Sequence, residues 1–241
     1  MLFDIHVHSN YSACSDLSLR DILNVSRSRG LDGVCITDHH CMRAKEEIAE
    51  GIREDGLCII IGQEYSTTQG DFLLFGPYEN LPPELNAVEL LRHVRSTGGC
   101  AVAAHPFRSD RPVDEELIKA GLCKAIEGVN NRNARNENIQ TQSWLEDYPL
   151  LSLAGSDAHS LQELGKVATW FNTPIWSRID LINALDSEQT FCCPCKSESR
   201  EFPLMGGAGQ SNDKYTEAFQ VKNDQKKQNF RDNLGVNPGT I

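Results

Sequence analysis

Apolar and polar positions along the chain switch repeatedly between two periods. Period-two or unbroken apolar runs predict strands at LFDIHVH, DGVCITDHH, CAVAAHP, KAIEGVN, LLSLAGSDAH and KVATWF. The run LCIIIGQEYSTTQGDFLLFG predicts a buried strand, a turn and a returning strand. Helical spacing predicts helices at SLRDILNVSRSRG, RAKEEIAEGIRED, AVELLRHVRSTGG, VDEELIKAGL and NENIQTQSWLEDY, with Gly30 standing where a C-terminal glycine belongs. Strands separated by helices imply right-handed βαβ units and a largely parallel sheet. Seven such strands in roughly 190 residues favour a closed barrel, smaller than the eight-stranded kind, over an open sheet. No GxGxxG turn follows the first strand, which disfavours a doubly wound dinucleotide-binding sheet. From about residue 200 the aliphatic pattern fades into Gly, Asn, Gln, Lys and Asp. The expectation is one domain over 1–199 and a polar, flexible tail over 200–241.

Composition narrows the classes. The 241 residues are 39% hydrophobic and 24% charged, a globular profile. No apolar run reaches the ~18 residues that span a bilayer, and no basic leader precedes the first strand, so a cytoplasmic protein without membrane association is expected. The nine cysteines are scattered, mostly in apolar runs, and read as reduced core thiols. A net charge of −11 weighs against a dedicated duplex-DNA binder, though less against an enzyme whose acids are offset by divalent cations.

The polar residues at strand ends carry the chemistry. His6 and His8 end the first strand, Asp38, His39 and His40 the second, Glu64 the run CIIIGQE, His105 the run CAVAAHP, and Asp157 and His159 the run LLSLAGSDAH. Six of the seven histidines thus fall where a parallel barrel keeps its active site. His-x-His places two imidazoles on one strand face, where their ring nitrogens can close on one ion. Asp157-x-His159 repeats that spacing with mixed ligands. Imidazole and carboxylate without cysteine suit zinc, iron(II) or manganese. Glu64, a lone acid after an apolar run, calls for a cation partner. A carboxylate that bridges paired metals fits water activation and phosphoryl transfer.

Five segments in order, DIHVHSNYS, ITDHH, GQE, AHPFR and AGSDAH, resemble the successive motifs of the PHP family, named for polymerase and histidinol phosphatase. The stretch IEGVNNRN and the extended GSDAHSLQELG add to the likeness, which covers roughly residues 2–190 and is closest to the family's small stand-alone phosphoesterases. The resemblance implies an α/β fold, a distorted (β/α)7 TIM-like barrel with two or three divalent ions (Mn, Fe or Zn) at its C-terminal rim. It implies that His6, His8, Glu64 and Asp157 hold the first ion, Glu64 and His105 the second, and Asp16, His39 and His159 the third. Some members supply a further histidine to the second ion near position 130, where this chain has Asn130 and Asn131. The loop from His8 to Asp16 is about two residues longer than the common form, and Ser12 and Ser15 lie beside it.

Other residues admit two readings. Asp38 is a turn residue or an orienting partner of a ligand. His40 is a loop residue or a substrate contact, and either it or Asp38 could shuttle a proton at the rim. Arg108 follows His105 closely enough to clamp a phosphate, and Asn130, Arg132 and Arg135 are further substrate candidates. Asp4 shares a face with His6, either supporting a ligand or filling a polar layer. His93 sits at a helical position and reads as a surface residue. Cys192, Cys193 and Cys195 have no fourth ligand nearby and make a poor chelate.

The function expected is a metal-dependent phosphatase or phosphodiesterase acting on a small phosphorylated substrate, a nucleotide or a short single-stranded nucleic acid. A metal-dependent amidohydrolase attacking carbon is the alternative; Arg108 and the lack of a strand-end lysine disfavour it. A non-catalytic metal- or nucleotide-binding module is the other. It sits poorly with a ligand set this complete.

Overall fold

The computed structural model describes residues 1–187 and the backbone of 192–196. The expected tail over 200–241 lies outside the described residues. In chain order the elements are β1 (Leu2–Val7), α1 (Leu19–Ser26), β2 (Gly33–Ile36), β3 (Gly51–Ile52), β4 (Cys58–Ile61), β5 (Gln63–Thr67), β6 (Gly70–Phe75), α2 (Ala87–Ser96), β7 (Cys100–Ala103), α3 (Glu115–Lys119), β8 (Ala125–Asn130), α4 (Arg135–Asp147), β9 (Leu151–Gly155), β10 (Val167–Phe171), α5 (Arg178–Asp186) and β11 (Cys192–Lys196). Local chemistry sets the helix starts. Ser18 and Ser177 cap α1 and α5 through their hydroxyls, and Asn86 with Glu89 forms a capping box on α2. Gly30 closes the first helical segment in the left-handed conformation at φ 80°.

The strands pair in two sheets, ordered β11-β10-β1-β2-β4-β3 and β5-β6-β7-β8-β9. A single closed barrel, expected from the sequence, is not what the pairing gives. The break falls at Gly62, between β4 and β5. There a Cβ would lie 2.5 Å from the Leu74 carbonyl, so only glycine lets the chain leave one sheet and pair with β6 in the other. The parallel runs are β1–β2–β4 and β7–β8–β9; the hairpin β5–β6 and the contacts β6–β7 and β1–β10 are antiparallel. Two isolated parallel bridges, Val7 to Ala158 and His39 to Glu64, link the sheets where β1 meets β9 and where β2 meets β5.

Most strands bury both faces, as central strands do. One apolar cluster packs Val34, Ile36, Ile59 and Ile61 against Leu19, Ile22, Leu90, Leu91 and Leu117 of the helices. The other joins Phe3, Ile5, Cys35 and Ile60 of the first sheet to Leu73, Val102, Ala125 and Leu153 of the second, with Leu181 and Ala184 of α5. The interior therefore draws on both sheets.

One expectation fails locally. The helix expected over RAKEEIAEGIRED is a short 3₁₀ turn, Arg43–Glu46, followed by the two-residue β3. That run offers only Ala44 and Ile48 to a core, one turn apart, too narrow a stripe to hold a helix down. The segment with Cys192, Cys193 and Cys195 forms β11, paired antiparallel with β10. His93 is exposed on α2, as expected. No helix among the described residues is long and apolar enough to cross a membrane.

Candidate metal centre

β1 delivers the first two donors. Its register with β2 slips between Asp4 and Val7, a bulge that bends the strand end. His6 Nε2 and His8 Nε2 then face each other at 3.0 Å. Glu64 Oε2 stands 3.3 Å and 3.1 Å from these nitrogens, and Asp157 Oδ1 stands 3.5 Å and 3.4 Å from them. Four donors bound tetrahedrally at about 2.05 Å would be separated by about 3.3–3.4 Å. The five separations given straddle that value, so the donor set fits one small divalent ion. Glu64 reaches further. Its Oε1 meets His105 Nε2 at 2.9 Å and its Oε2 meets His39 Nδ1 at 3.2 Å. Three groups of donor atoms, each within 4.8 Å of one another, result: His6, His8 and Asp157; His6, Glu64 and His105; His8, His39 and His159.

The cage balances its own charge. Burial would strip the proton from His6, but Glu127, Asp157 and Glu64 outweigh it and hold the imidazole well above its usual range. Burial would raise Glu64 and Asp157, yet the His6 charge and neighbouring hydrogen bonds hold both carboxyls well below theirs. Two buried carboxylates demand positive charge, and a proton on His6 supplies it. His39 is pushed down to about 4 by burial and by the histidines around it, and His159 is lowered for similar reasons. Both are neutral at pH 7 and offer lone pairs.

Partners behind the cage fix the rings. Glu127, on β8, is fully buried. Its Oε1 meets His6 Nδ1 at 2.9 Å, while its Oε2 accepts from the His105 backbone N–H and Asn130 Nδ2, both at 2.8 Å. Such carboxylate–histidine pairs set the tautomer of a ligating imidazole. His8 Nδ1 meets Ser12 Oγ at 3.3 Å, and His159 Nδ1 meets the Asp157 carbonyl at 2.8 Å. Backbone strain gathers here too. Of the four non-glycine residues with positive φ among the described residues, three are His40, His105 and Asp157.

The remaining sequence-derived residues take these places. Asp16 is exposed, tied by its backbone N–H to the His159 carbonyl, and its carboxylate joins none of the three groups. His8 stands in the group with His39 and His159 instead. Asp38 is buried and committed: it accepts from Ser9 N–H at 2.7 Å and from the Ser9 and Ser12 hydroxyls, both at 2.6 Å. His40 is exposed, edge-on to Tyr65, and its Nε2 accepts weakly from Ser66 N–H at 3.4 Å. Arg108 donates to Asp157 Oδ2 at 2.7 Å and to Asn130 and Asn133, both at 3.1 Å. Asn130 is fully buried between Arg108 and Glu127, and Arg132 lies at the rim, 3.9 Å from Glu163. Asp4 accepts from the backbone N–H groups of Ser156 and Gly165 and is pushed up to about 6 by burial. Sequence reasoning gives Glu127 no role, although it lies in IEGVNNRN. A lone acid in an apolar strand, the signal that singled out Glu64, was equally present there.

With this geometry in place, similarity to known proteins becomes informative. Residues 135–190 match the family model described as PHP-associated. A two-domain protein from Bacteroides vulgatus, containing a predicted PHP-like metal-dependent phosphoesterase, superposes with a TM-score of 0.57 at 19% identity, over 80% of this chain and 64% of that one. The fold is therefore PHP-like. PsfC from Pseudomonas syringae superposes on the PHP-like fold with a TM-score of 0.64 at 21% identity, over 80% of this chain and 90% of that one. The lesion-specific endonuclease EndoQ from Pyrococcus furiosus gives 0.61 at 17% identity, over 76% and 55%. In sequence, Uncharacterized protein MJ1587 of Methanocaldococcus jannaschii is 29% identical over 158 residues, 58% of this chain and 92% of that protein.

Proposed function

We propose that this PHP-like chain is a cytoplasmic, metal-dependent hydrolase of phosphate esters. The observation that carries the reading is the cage of His6, His8, Glu64 and Asp157, with donor separations suited to one divalent ion, and Glu64 shared with His105 and His39. His6, His8, Glu64 and Asp157 would hold one ion, Glu64 and His105 a second, and His39 and His159 a third with His8 or Asp16. Ions so held supply Lewis acidity and a hydroxide-like nucleophile near neutral pH.

The protein groups do the rest. Arg108 already lies on Asp157, so its guanidinium can pin a phosphate oxygen at the edge of the cage and offset its charge. Arg132, half-exposed at the rim, adds long-range attraction for an anion. Asp38 orients rather than transfers protons: through Ser12 it bears on both His8 Nδ1 and the His39 N–H. His40, exposed and held only weakly, is the better proton carrier. The fold reading extends in the same direction. The two seam bridges and the interior shared by both sheets support a distorted seven-stranded barrel over 1–199.

Small phosphomonoesters, nucleotides and short single-stranded oligonucleotides are the substrates that suit a molecule of net charge −11. Endonuclease Q has been solved with a 27-mer duplex bearing an abasic lesion at its active site, a precedent for phosphodiesters on this fold in a longer protein. The test is phosphate or nitrophenol release from p-nitrophenyl phosphate and bis-p-nitrophenyl phosphate, beside amide substrates, by chelator-stripped protein reloaded with Mn, Fe or Zn. Turnover of the phosphate esters alone supports the reading. Turnover of amides alone favours the amidohydrolase alternative, and metal binding without turnover of either favours a non-catalytic module.

A further inference from the structure

Building on the metal-hydrolase reading, we infer that Asn133 is the positioning residue of Arg108, holding the guanidinium so that Nη1 is the donor left to meet a substrate phosphate. Sequence reasoning picks out Arg108, Asn130 and Arg132 and assigns Asn133 no role.

The grip on Arg108 is selective. A guanidinium carries five N–H groups in a rigid fork. Here Nε donates to Asn133 Oδ1 at 3.1 Å, and Nη2 donates to Asn130 Oδ1 at 3.1 Å and to Asp157 Oδ2 at 2.7 Å. Those bonds use every N–H of Nε and Nη2. Among the described residues Nη1 meets no acceptor, and the side chain is 20% exposed, so the N–H groups of Nη1 are the ones open to a ligand. Asn130 and Asp157 both act on one nitrogen, and alone they leave the plane of the fork to tilt about it. Asn133, acting on a second nitrogen, removes that freedom.

Asn133 is itself turned the way Arg108 needs. A carboxamide accepts through its oxygen and donates through its nitrogen. Asn138 makes two bonds to the main chain of Asn130: its Oδ1 accepts from the N–H at 3.0 Å and its Nδ2 donates to the carbonyl at 2.9 Å. That pairing works one way round only. It leaves Asn138 Oδ1 facing Asn133 Nδ2, at 3.1 Å, and so directs Asn133 Oδ1 to Arg108. The main chain beside Arg108 is tied to the same helix. Glu137 of α4 accepts from the Ser109 N–H at 2.9 Å, and Phe107 packs on Trp144 of α4 with ring centroids 4.6 Å apart. A neutral amide also suits the task, because it holds the guanidinium without adding a negative charge that would oppose a phosphate.

The test is a double-mutant cycle on the full chain loaded with Mn²⁺, read by steady-state hydrolysis of p-nitrophenyl phosphate and by calorimetric binding of inorganic phosphate. Asn133→Ala is expected to raise KM, and to weaken phosphate binding, by about threefold to tenfold, with kcat and metal content near parental. In the Arg108→Ala background the same substitution is expected to change either quantity by no more than about twofold. An unchanged KM and phosphate affinity in Asn133→Ala overturns the inference. So does an equal effect with and without Arg108, or a loss of bound metal, since each marks a structural role. If Asn133→Ala does not fold, Asn133→Ser, whose hydroxyl is too short to reach Nε, passes through the same cycle and is judged alike. A parent that binds phosphate but turns over no phosphate ester sinks the hydrolase reading alone, and the cycle on phosphate affinity then decides the inference. A parent that does neither sinks both.

Discussion

Replacing Glu127 with glutamine changes one atom's chemistry and almost nothing of the shape. The carboxylate accepts on both sides: Oε1 from the His6 side, Oε2 from the His105 N–H and Asn130 Nδ2. Glutamine keeps one acceptor. If its oxygen stays toward His105 and Asn130, its amide N–H faces His6 Nδ1. The imidazole can accept that bond only by giving up its Nδ1 proton and keeping one on Nε2. That proton then points into the cage, at His8 Nε2, Glu64 and Asp157, where an ion needs a lone pair. The reverse orientation sets an amide against two donors and costs more, so the tautomer change is the cheaper response. Loss of such an orienting partner weakens metal binding by about 10–100-fold, equivalent to about 1.4–2.7 kcal/mol. In the metal-free protein the substitution also removes the carboxylate that bears most on the His6 charge, so a loss of about 1–3 kcal/mol, a shift in Tm of about 2–12 °C, is expected. Calorimetric titration of Mn²⁺ into chelator-stripped Glu127→Gln measures the first quantity and a thermal melt the second. Affinity within twofold of the parent, or a collapse in stability with affinity intact, would refute the tautomer argument.

Other predictions follow from the same geometry. Gly155→Ala would place a Cβ 2.5 Å from both Glu127 Oε1 and His6 Cβ, so it should cost about 1–3 kcal/mol and weaken Mn²⁺ binding together, as melts and titration would report. Arg108→Ala should raise KM for p-nitrophenyl phosphate by about tenfold or more, with metal content retained; an unchanged KM would assign Arg108 to bracing Asp157 alone. Since carboxylates hold His6 protonated above its usual range, the first ion should expel a proton. Affinity should therefore rise with pH until the His6 pKa is passed and then level off. Titration calorimetry below that pKa in buffers of different ionisation enthalpy counts that proton, and a heat that does not vary with the buffer would contradict the charge balance.

The strand ends were the most legible part of the chain because they combine two strong signals, an apolar strand and a polar residue that such a strand has no reason to bury. His6, His8, Glu64, His105, Asp157 and His159 each carry both, and the structure brings their donor atoms together. The element order was legible for a similar reason: β1, β2, β4 and β7 to β10 are short, apolar and separated by helical spacing or glycine. What escaped were features set by tertiary partners. The helix expected after His40 lacks a wide enough apolar stripe, and no local propensity could replace one. The bulges in β1 and β8 depend on neighbouring strands. The division into two sheets turns on Gly62, whose lack of a side chain matters only once Leu74 is beside it. Glu127 carries the same lone-acid signal as Glu64, but its partners, His6 Nδ1, the His105 N–H and Asn130, meet it only once the strands are assembled.

Diffraction at the Mn²⁺ absorption edge, from crystals grown or soaked with that ion, reaches the central claim directly. The account predicts an anomalous peak among His6 Nε2, His8 Nε2, Glu64 Oε2 and Asp157 Oδ1, with any further peak beside His105 or between His39 and His159. Saturating Mn²⁺ with no peak in that cage, or with ions bound only elsewhere on the surface, would contradict it.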